Sequence, residues 1–331
     1  MAKYSDIKGF TVQTLSSDPA ASVASTGSWS SGGSLNTGRG YAAAEGDIPA
    51  SIYISGYSAT GAVAIVESYN GSSWTEVADV NSAKAAAASA GSYTAAIAFS
   101  GDTPAPNYST ENESWDGSSW TEVGDVNTAR YAGAGFGTQT AAFFVAGNDG
   151  STKVANVESW NGSAWTETTD VNTSRVALGG VGITTAGLVM GGWVNPPQSA
   201  GVANNESWNG SAWTEVADLN SARYAVGSSS TSSTDALVFG GYVSSPSSVT
   251  EFWNGTAWTE LNDLSTARNY SAGAGATSAT AIVAGNSANT TATEEWTTTP
   301  SALFKKTVEG QLFFNSTTNT FKETISDVPA G

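Results

Sequence analysis

Residues 206–223 read ESWNGSAWTEVADLNSAR, and the same eighteen-residue phrase returns four more times. The other copies are ESYNGSSWTEVADVNSAK from Glu67, ESWDGSSWTEVGDVNTAR from Glu113, ESWNGSAWTETTDVNTSR from Glu158 and EFWNGTAWTELNDLSTAR from Glu251; successive starts lie 46, 45, 48 and 45 residues apart. A sixth copy opens as EEW at Glu294, 43 residues on, and stops where its Trp-Thr-Glu half should begin. The missing half stands near the front as GSWSSGGSLNTGR, in which Trp29 precedes Arg39 by ten residues. The same interval separates the second Trp of each full copy from Lys84, Arg130, Arg175, Arg223 and Arg268. A long repeat whose seam falls inside the unit is the signature of a closed ring.

Each unit predicts four short strands. Strand a follows the basic residue (131–137), b is an apolar run ending in glycine (141–147, 236–241), c runs into the first Trp and d carries the second. Such runs, bounded by Gly, Asn and Ser and lacking a 3.6-residue apolar stripe, argue strands rather than helices. Between c and d stands Asn-Gly, or Asp116-Gly117 in one copy, which predicts a two-residue type I′ turn because both residues tolerate positive φ. That turn puts the Glu and Trp of c and the Trp and Glu of d on one bulky face, opposite a face of small residues. One sheet cannot bury both faces, so neighbours must. Six a–b–c sets begin near Tyr41, Ala85, Tyr131, Val176, Tyr224 and Asn269; five have their own d strand, and the sixth borrows the strand at Trp29, leaving no open edge. The expected fold is all-β: a six-bladed propeller over residues 25–298, closed by its N-terminal strand, with residues 1–24 and 299–331 as the two parts of a small β module.

The pattern resembles kelch-type β-propellers. The glycine-ended b strand (Gly191-Gly192, Gly240-Gly241), the aromatic end of strand c, the Trp opening strand d and the Arg that follows carry the resemblance. Copies reading Ala146-Gly147 and Ala284-Gly285 depart from the family's double glycine, which separates the fold expectation from the adaptor functions of cellular kelch proteins.

Composition narrows the function. The 331 residues contain no Cys and no His, which removes disulfides, thiolate and imidazole catalysis and ordinary zinc or copper sites. All but one of the twelve Trp fall inside the repeats and read as packing residues. The net charge of −17 lies wholly in the propeller region, because the flanks balance Lys3, Lys8, Lys305, Lys306 and Lys322 against Asp6, Asp18, Glu309, Glu323 and Asp327. An acidic body disfavours nucleic acid and anionic membrane as partners, and no apolar stretch has transmembrane length. The start MAKYSDIKGF has neither the apolar core nor the cleavage site of a signal peptide.

The flanks read SDIKGFTVQTLSSDPA and VEGQLFFNSTTNTFKETIS. The second alternates Leu312, Phe314 and Phe321 about a polar turn, as a hairpin does. Both segments resemble parts of structural proteins of marine tailed bacteriophages, where such a phrase runs continuously as one small β unit; here it is split, with the propeller between its halves. That resemblance implies a virion protein of fibre, appendage or decoration type, assembled in the host cytoplasm without a signal peptide. Its implied partners are other virion proteins, copies of itself and a host-surface glycan or protein. Phe10, Val12, Leu312, Phe314 and Phe321 are the expected assembly residues.

The carboxylates of the repeat offer a catalytic alternative. Two carboxylates per repeat, Glu67, Glu113, Glu158, Glu206, Glu251 and Glu294 with Glu76, Glu122, Glu167, Glu215 and Glu260, are the raw material of a glycosidase. A catalytic pair breaks symmetry, whereas these recur with the repeat, so they read as structural acceptors for the recurrent Arg, replaceable singly at modest cost. Sialidases are also six-bladed, and residues 114–120, SWDGSSW, approach their Asp-box but lack one residue between Asp and Gly. Galactose-oxidase-like copper chemistry needs His and Cys. The expectation is a non-enzyme without cofactor or metal, with a glycan-active hydrolase and a cellular kelch-type scaffold as alternatives; Asn148-Asp149-Gly150 is a weak calcium candidate. What varies among the repeats is the b–c connection. Its aromatics and polar residues, Tyr108, Asp149, Trp193, Asn195 and Tyr242, are the candidate binding residues; the alternative is that they pack down as loop plugs.

Overall fold

The computed structural model describes residues 13–15, 27–104, 108–194, 201–229, 231–298, 312–315 and 320–323. All regular structure among them is β, in small and almost wholly antiparallel sheets of two to four strands. The chain divides into two compact units, Gly27–Thr297 and the pair Met1–Thr26 with Thr298–Gly331.

The larger unit holds six four-stranded sheets. Sheet 3 shows the pattern: Ala134–Thr138, Ala141–Asn148, Lys153–Trp160 and Trp165–Thr168 lie side by side in chain order. Sheets 1, 2, 4 and 5 repeat it within 43–76, 88–123, 179–216 and 227–260. Sheet 6 has three strands of its own, Ala272–Thr277, Thr280–Ala284 and Thr293–Thr298, and its fourth is Gly27–Ser31. First strands touch in the cyclic order 1-2-3-4-5-6-1. The borrowed strand is fixed by its Trp: the Trp29 ring lies 5.5 Å from Trp296 and 4.9 Å from Phe239, and its indole N–H donates to Thr250 Oγ1 at 2.9 Å.

A second cycle runs through the backbone. Tyr41, Ala86, Ala132, Ala177, Ala225 and Tyr270, each two residues after the recurrent basic residue, all have φ between 49° and 56°. Each N–H donates to the carbonyl of its counterpart in the preceding sheet: Ala86 to Tyr41 at 2.6 Å, Ala132 to Ala86 at 2.8 Å, Ala177 to Ala132 and Ala225 to Ala177 at 2.7 Å, Tyr270 to Ala225 at 3.0 Å. Tyr41 donates to Tyr270 at 2.9 Å, so the sixth bond returns to the start. This collar delays strand a, which opens at Ala134 rather than at Tyr131 in sheet 3.

The c–d connection differs from the expected turn. Trp115 pairs with Trp120 and Glu113 with Glu122, so the loop has four residues, and of Asp116 and Gly117 only the glycine has positive φ (93°). Asp116 Oδ1 accepts from the N–H groups of Ser118 and Ser119, both at 2.8 Å; Asn70, Asn161, Asn209 and Asn254 do the same in their sheets. The side-chain oxygen satisfies loop donors, which makes this an Asx loop rather than a I′ turn. The pairing moves by two residues, which preserves the facing of each side chain.

The departures from the double glycine also resolve. Strand b ends in a left-handed residue in every sheet: Ser55, Ser100, Ala146, Gly191, Gly240 and Gly285, with φ of 57–66°. The next residue has φ of 99–116° at Gly56, Gly101, Gly147, Gly192 and Gly241. The first conformation is open to L-residues at modest cost, while the second is glycine's. In sheet 6 the first position belongs to Gly285, not Ala284, because a Cβ there would lie 2.0 Å from the Arg39 carbonyl.

In the smaller unit Gln13–Leu15 pairs parallel with Leu312–Asn315, which pairs antiparallel with Thr320–Glu323. Thr14 stands opposite Phe314, and Phe314 opposite Phe321. Phe10 and Val12 lie outside the described residues.

Removing residues 1–40 strips sheet 6 of its outer strand and leaves the buried Glu67 without Arg39. The cooperative thermal transition followed by circular dichroism is expected to be lost. Trp29→Ala, which keeps the strand, is expected to cost about 3–5 kcal/mol in denaturant unfolding. An unchanged melt of the truncated chain contradicts closure by this strand.

Candidate functional site

The most numerous polar groups of the repeat meet inside each sheet. Arg130 reaches Glu158 at 2.5 Å and Arg268 reaches Glu294 at 2.7 Å; Arg39–Glu67 and Arg175–Glu206 are paired likewise, and Lys84–Glu113 is looser at 3.4 Å. Arg223 and Glu251 touch at 2.9 Å without hydrogen-bond alignment. All twelve side chains are buried. Arg130 also donates to the carbonyls of Phe144 and Ala146, at 3.0 and 2.9 Å. Glu158 accepts from the Asn127 backbone N–H at 2.6 Å, from Asn127 Nδ2 at 2.7 Å and from the Thr128 N–H at 3.3 Å. These carboxylates anchor the d–a connection to strands b and c. The second carboxylate of each repeat stands opposite the first across the c–d pair, as Glu122 does to Glu113, but it lies exposed on strand d while the first is enclosed beside its basic partner.

The b–c connections and the collar residues share one end of the sheets, and aromatic side chains gather there. Tyr108 stacks on Tyr131 at 5.1 Å with the planes 8° apart. Trp193, 36% exposed, stacks on Tyr224 at 5.7 Å, and the Lys153 ammonium lies 4.2 Å from the Trp193 ring centre. Tyr242 lies 5.3 Å from Tyr224, and Tyr224 meets Tyr270 at 6.3 Å. Tyr270 stacks on Tyr41 at 4.1 Å, and Tyr41 meets Tyr57 edge-on at 6.4 Å. A crescent of six rings therefore runs across sheets 4, 5, 6 and 1. Tyr108, Trp193 and Tyr242 belong to this surface, half-buried or at its rim rather than free of it. Asp149 caps its own loop, accepting from the N–H groups of Ser151 and Thr152, both at 2.8 Å; those bonds, the Thr152 one foremost, lower its pKa. Asn195 lies outside the described residues. Among the described residues no group of three or more His, Cys, Asp or Glu side chains gathers as a metal site.

Tyr41, Tyr131, Tyr224 and Tyr270 form the centre of this surface, and the loop-directed sequence reading missed them as binding residues. Their signal was available: aromatics at one or two residues past the basic residue, where other copies place Gly, Ala, Val or Asn. Burial raises all four pKa values, and neighbouring phenols raise them further: Tyr224 acts on Tyr41, Tyr108 on Tyr131, Tyr242 on Tyr224, and Tyr41, Tyr224 and Tyr131 on Tyr270. Tyr131 and Tyr270 belong to sheets three apart in a cycle of six, and each is held in a stacked pair of its own, Tyr131 with Tyr108 and Tyr270 with Tyr41. Tyr41 and Tyr270 line a cavity of about 100 Å³ together with the four collar alanines and the residues that follow each collar position.

A second cavity, about 170 Å³, shares part of that lining and is bounded by the first strands of all six sheets. Among the described residues its lining is Gly, Ala, Ser, Thr231 and a few apolar residues, with Glu45 the one ionisable side chain. Four residues past the collar, the other sheets place Ala90, Phe136, Val181, Ser229 and Ala274. Ser89 Oγ donates to Glu45 at 2.6 Å. Burial pushes the Glu45 carboxyl up to about 7, against the opposing pull of the Ser89 bond. Sequence reading passed over it because attention fell on acids that recur, and this one does not.

No family model matches the chain, and no curated protein matches it significantly.

Two predictions follow from the burial of these acids. The modest cost expected for Glu158→Gln is corrected by its enclosure: leaving Arg130 buried and uncompensated is expected to cost about 3–5 kcal/mol. Exposed Glu122→Gln is expected to stay within about 0.5 kcal/mol in the same urea titration. For Glu45 the folded pKa exceeds the unfolded one, so the native state holds the extra proton, and stability is lost as pH rises from 4.5 to about 7. Between pH 5 and pH 8 the urea midpoint of Glu45→Gln is expected to fall less than that of the parent; parallel curves refute the assignment.

Proposed function

We propose that residues 27–297 form a six-bladed kelch-like β-propeller and that the protein is a structural component of a tailed-phage virion. In this reading the terminal segments attach it, and the aromatic end of the propeller faces a host-surface glycan or protein. Six four-stranded sheets in cyclic contact, with a backbone hydrogen-bond cycle through all six, support the propeller. The observation that carries the virion reading is the pairing of Gln13–Leu15 with Leu312–Asn315. The two halves of the phage-like phrase lie at opposite ends of the chain, yet they join in one small sheet. A three-stranded sheet of this size is marginal alone and gains stability from neighbours such as virion proteins or further copies. The acidic body, by contrast, repels its own copies.

A glycan-active hydrolase of sialidase-like architecture needs two carboxylates about one cleft, whereas Glu45 stands alone in the lining of the central cavity. Mass spectrometry of purified particles from a phage encoding this chain tests the proposal. The protein is expected at fixed stoichiometry through successive density gradients. Its absence from particles refutes the virion reading and leaves the cellular kelch-type scaffold as the better one.

A further inference from the structure

We infer that the phenol-roofed vestibule over the collar is a recognition site for an uncharged glycan, with the central tyrosines rather than the outer loops as its main determinants. The inference rests on the display function proposed above and names its ligand class. Its first support is hydrogen-bonding capacity: among the described residues, the hydroxyls of Tyr41, Tyr131, Tyr224 and Tyr270 have no protein partner, although Tyr53 and Tyr69 elsewhere in the fold are hydrogen-bonded. A wholly apolar partner would strand these half-buried groups, whereas a polyol satisfies them, because a phenol both donates and accepts.

The second support is the lining. Among the described residues, the cavity bordered by Tyr41 and Tyr270 is lined by Ala, Gly, Leu, Val, Ser and Tyr, with no charged side chain. It sits in a body that carries the entire net charge of −17, so sialylated, uronic or phosphorylated glycans meet repulsion without a compensating cation in the lining. Lys153 at the outer end of the crescent is engaged with the Trp193 ring. The third support is asymmetry. Sheets 2 to 5 place Ala86, Ala132, Ala177 and Ala225 at the collar where sheets 1 and 6 place the stacked Tyr41 and Tyr270. One side of the vestibule is thus an aromatic wall and the other a low alanine floor, which gives a ring-shaped ligand a place to lie against the wall.

The test is an array of neutral hexose and N-acetylhexosamine oligosaccharides beside sialylated, uronic and phosphorylated ones, probed with the full chain and followed by calorimetry on any ligand found. Binding is expected on the neutral set, weakened about tenfold by Tyr41→Phe or Tyr270→Phe, each of which deletes one hydroxyl and keeps the ring. Ile183→Ser, at the opposite end of the strands, is expected to bind as the parent does. Binding confined to acidic glycans, no binding to the array, or neutral binding that survives both Phe variants but is lost in Trp193→Ala overturns the inference. Those outcomes leave the virion reading standing, since the particle composition decides that separately.

Discussion

Six N–H···O=C bonds that pass from sheet to sheet and return to their origin impose the condition every other feature meets. Each sheet must deliver one residue in a left-handed conformation to the same radius, between the basic residue and the first strand. A chain of five or seven such residues would need a different angle at each step, so sheet number and collar geometry are set together. Closure also demands that the last sheet be completed, and the strand that completes it comes from the opposite end of the larger unit. The unit therefore has no sub-assembly that can form its own collar, and its stability is expected to be that of one cooperative whole.

The eighteen-residue phrase is the set of fasteners that holds this geometry. Its first Glu receives the connection and the basic residue that end the preceding copy. Its first Trp donates to the turn between strands a and b, as Trp160 does to Gln139 and Trp208 to Thr184. Its second Trp donates backwards to the preceding sheet in all copies but that of Trp165, as Trp120 does to Ala78 and Trp213 to Thr169. Its Asn or Asp closes the c–d loop, and its final Asp accepts from strand c, as Asp170 does from Val157. Lys84 shows why the basic position is otherwise Arg. Its single ammonium reaches Glu113 and the Glu111 carbonyl, both at 3.4 Å, whereas the planar fork of Arg130 engages a carboxylate and three carbonyls. With so many polar groups committed to the frame, variation is confined to the connections and the collar, and that is where the aromatics stand.

The repeat spacing, the split seam and the role of the recurrent Glu were legible in the sequence because each follows from local pattern multiplied six times. The period fixes how many sheets there are, and the displaced Trp29 half-copy fixes which strand completes the sixth. The sequence also determined where charge lies and which chemistries, those of His and Cys, are absent. Only tertiary structure decided the four-residue Asx loop, because Asn-Gly serves two turn types and the choice lies in where the side-chain oxygen points. It alone decided that Glu158 is enclosed and Glu122 exposed, since the two are identical in type and differ only in what packs over them. It alone stacked Tyr270 of the sixth sheet on Tyr41 of the first and left Glu45 lining the central cavity. Convergence about an axis depends on the angle between neighbouring sheets, a quantity that no single repeat encodes and that appears only when the cycle is complete.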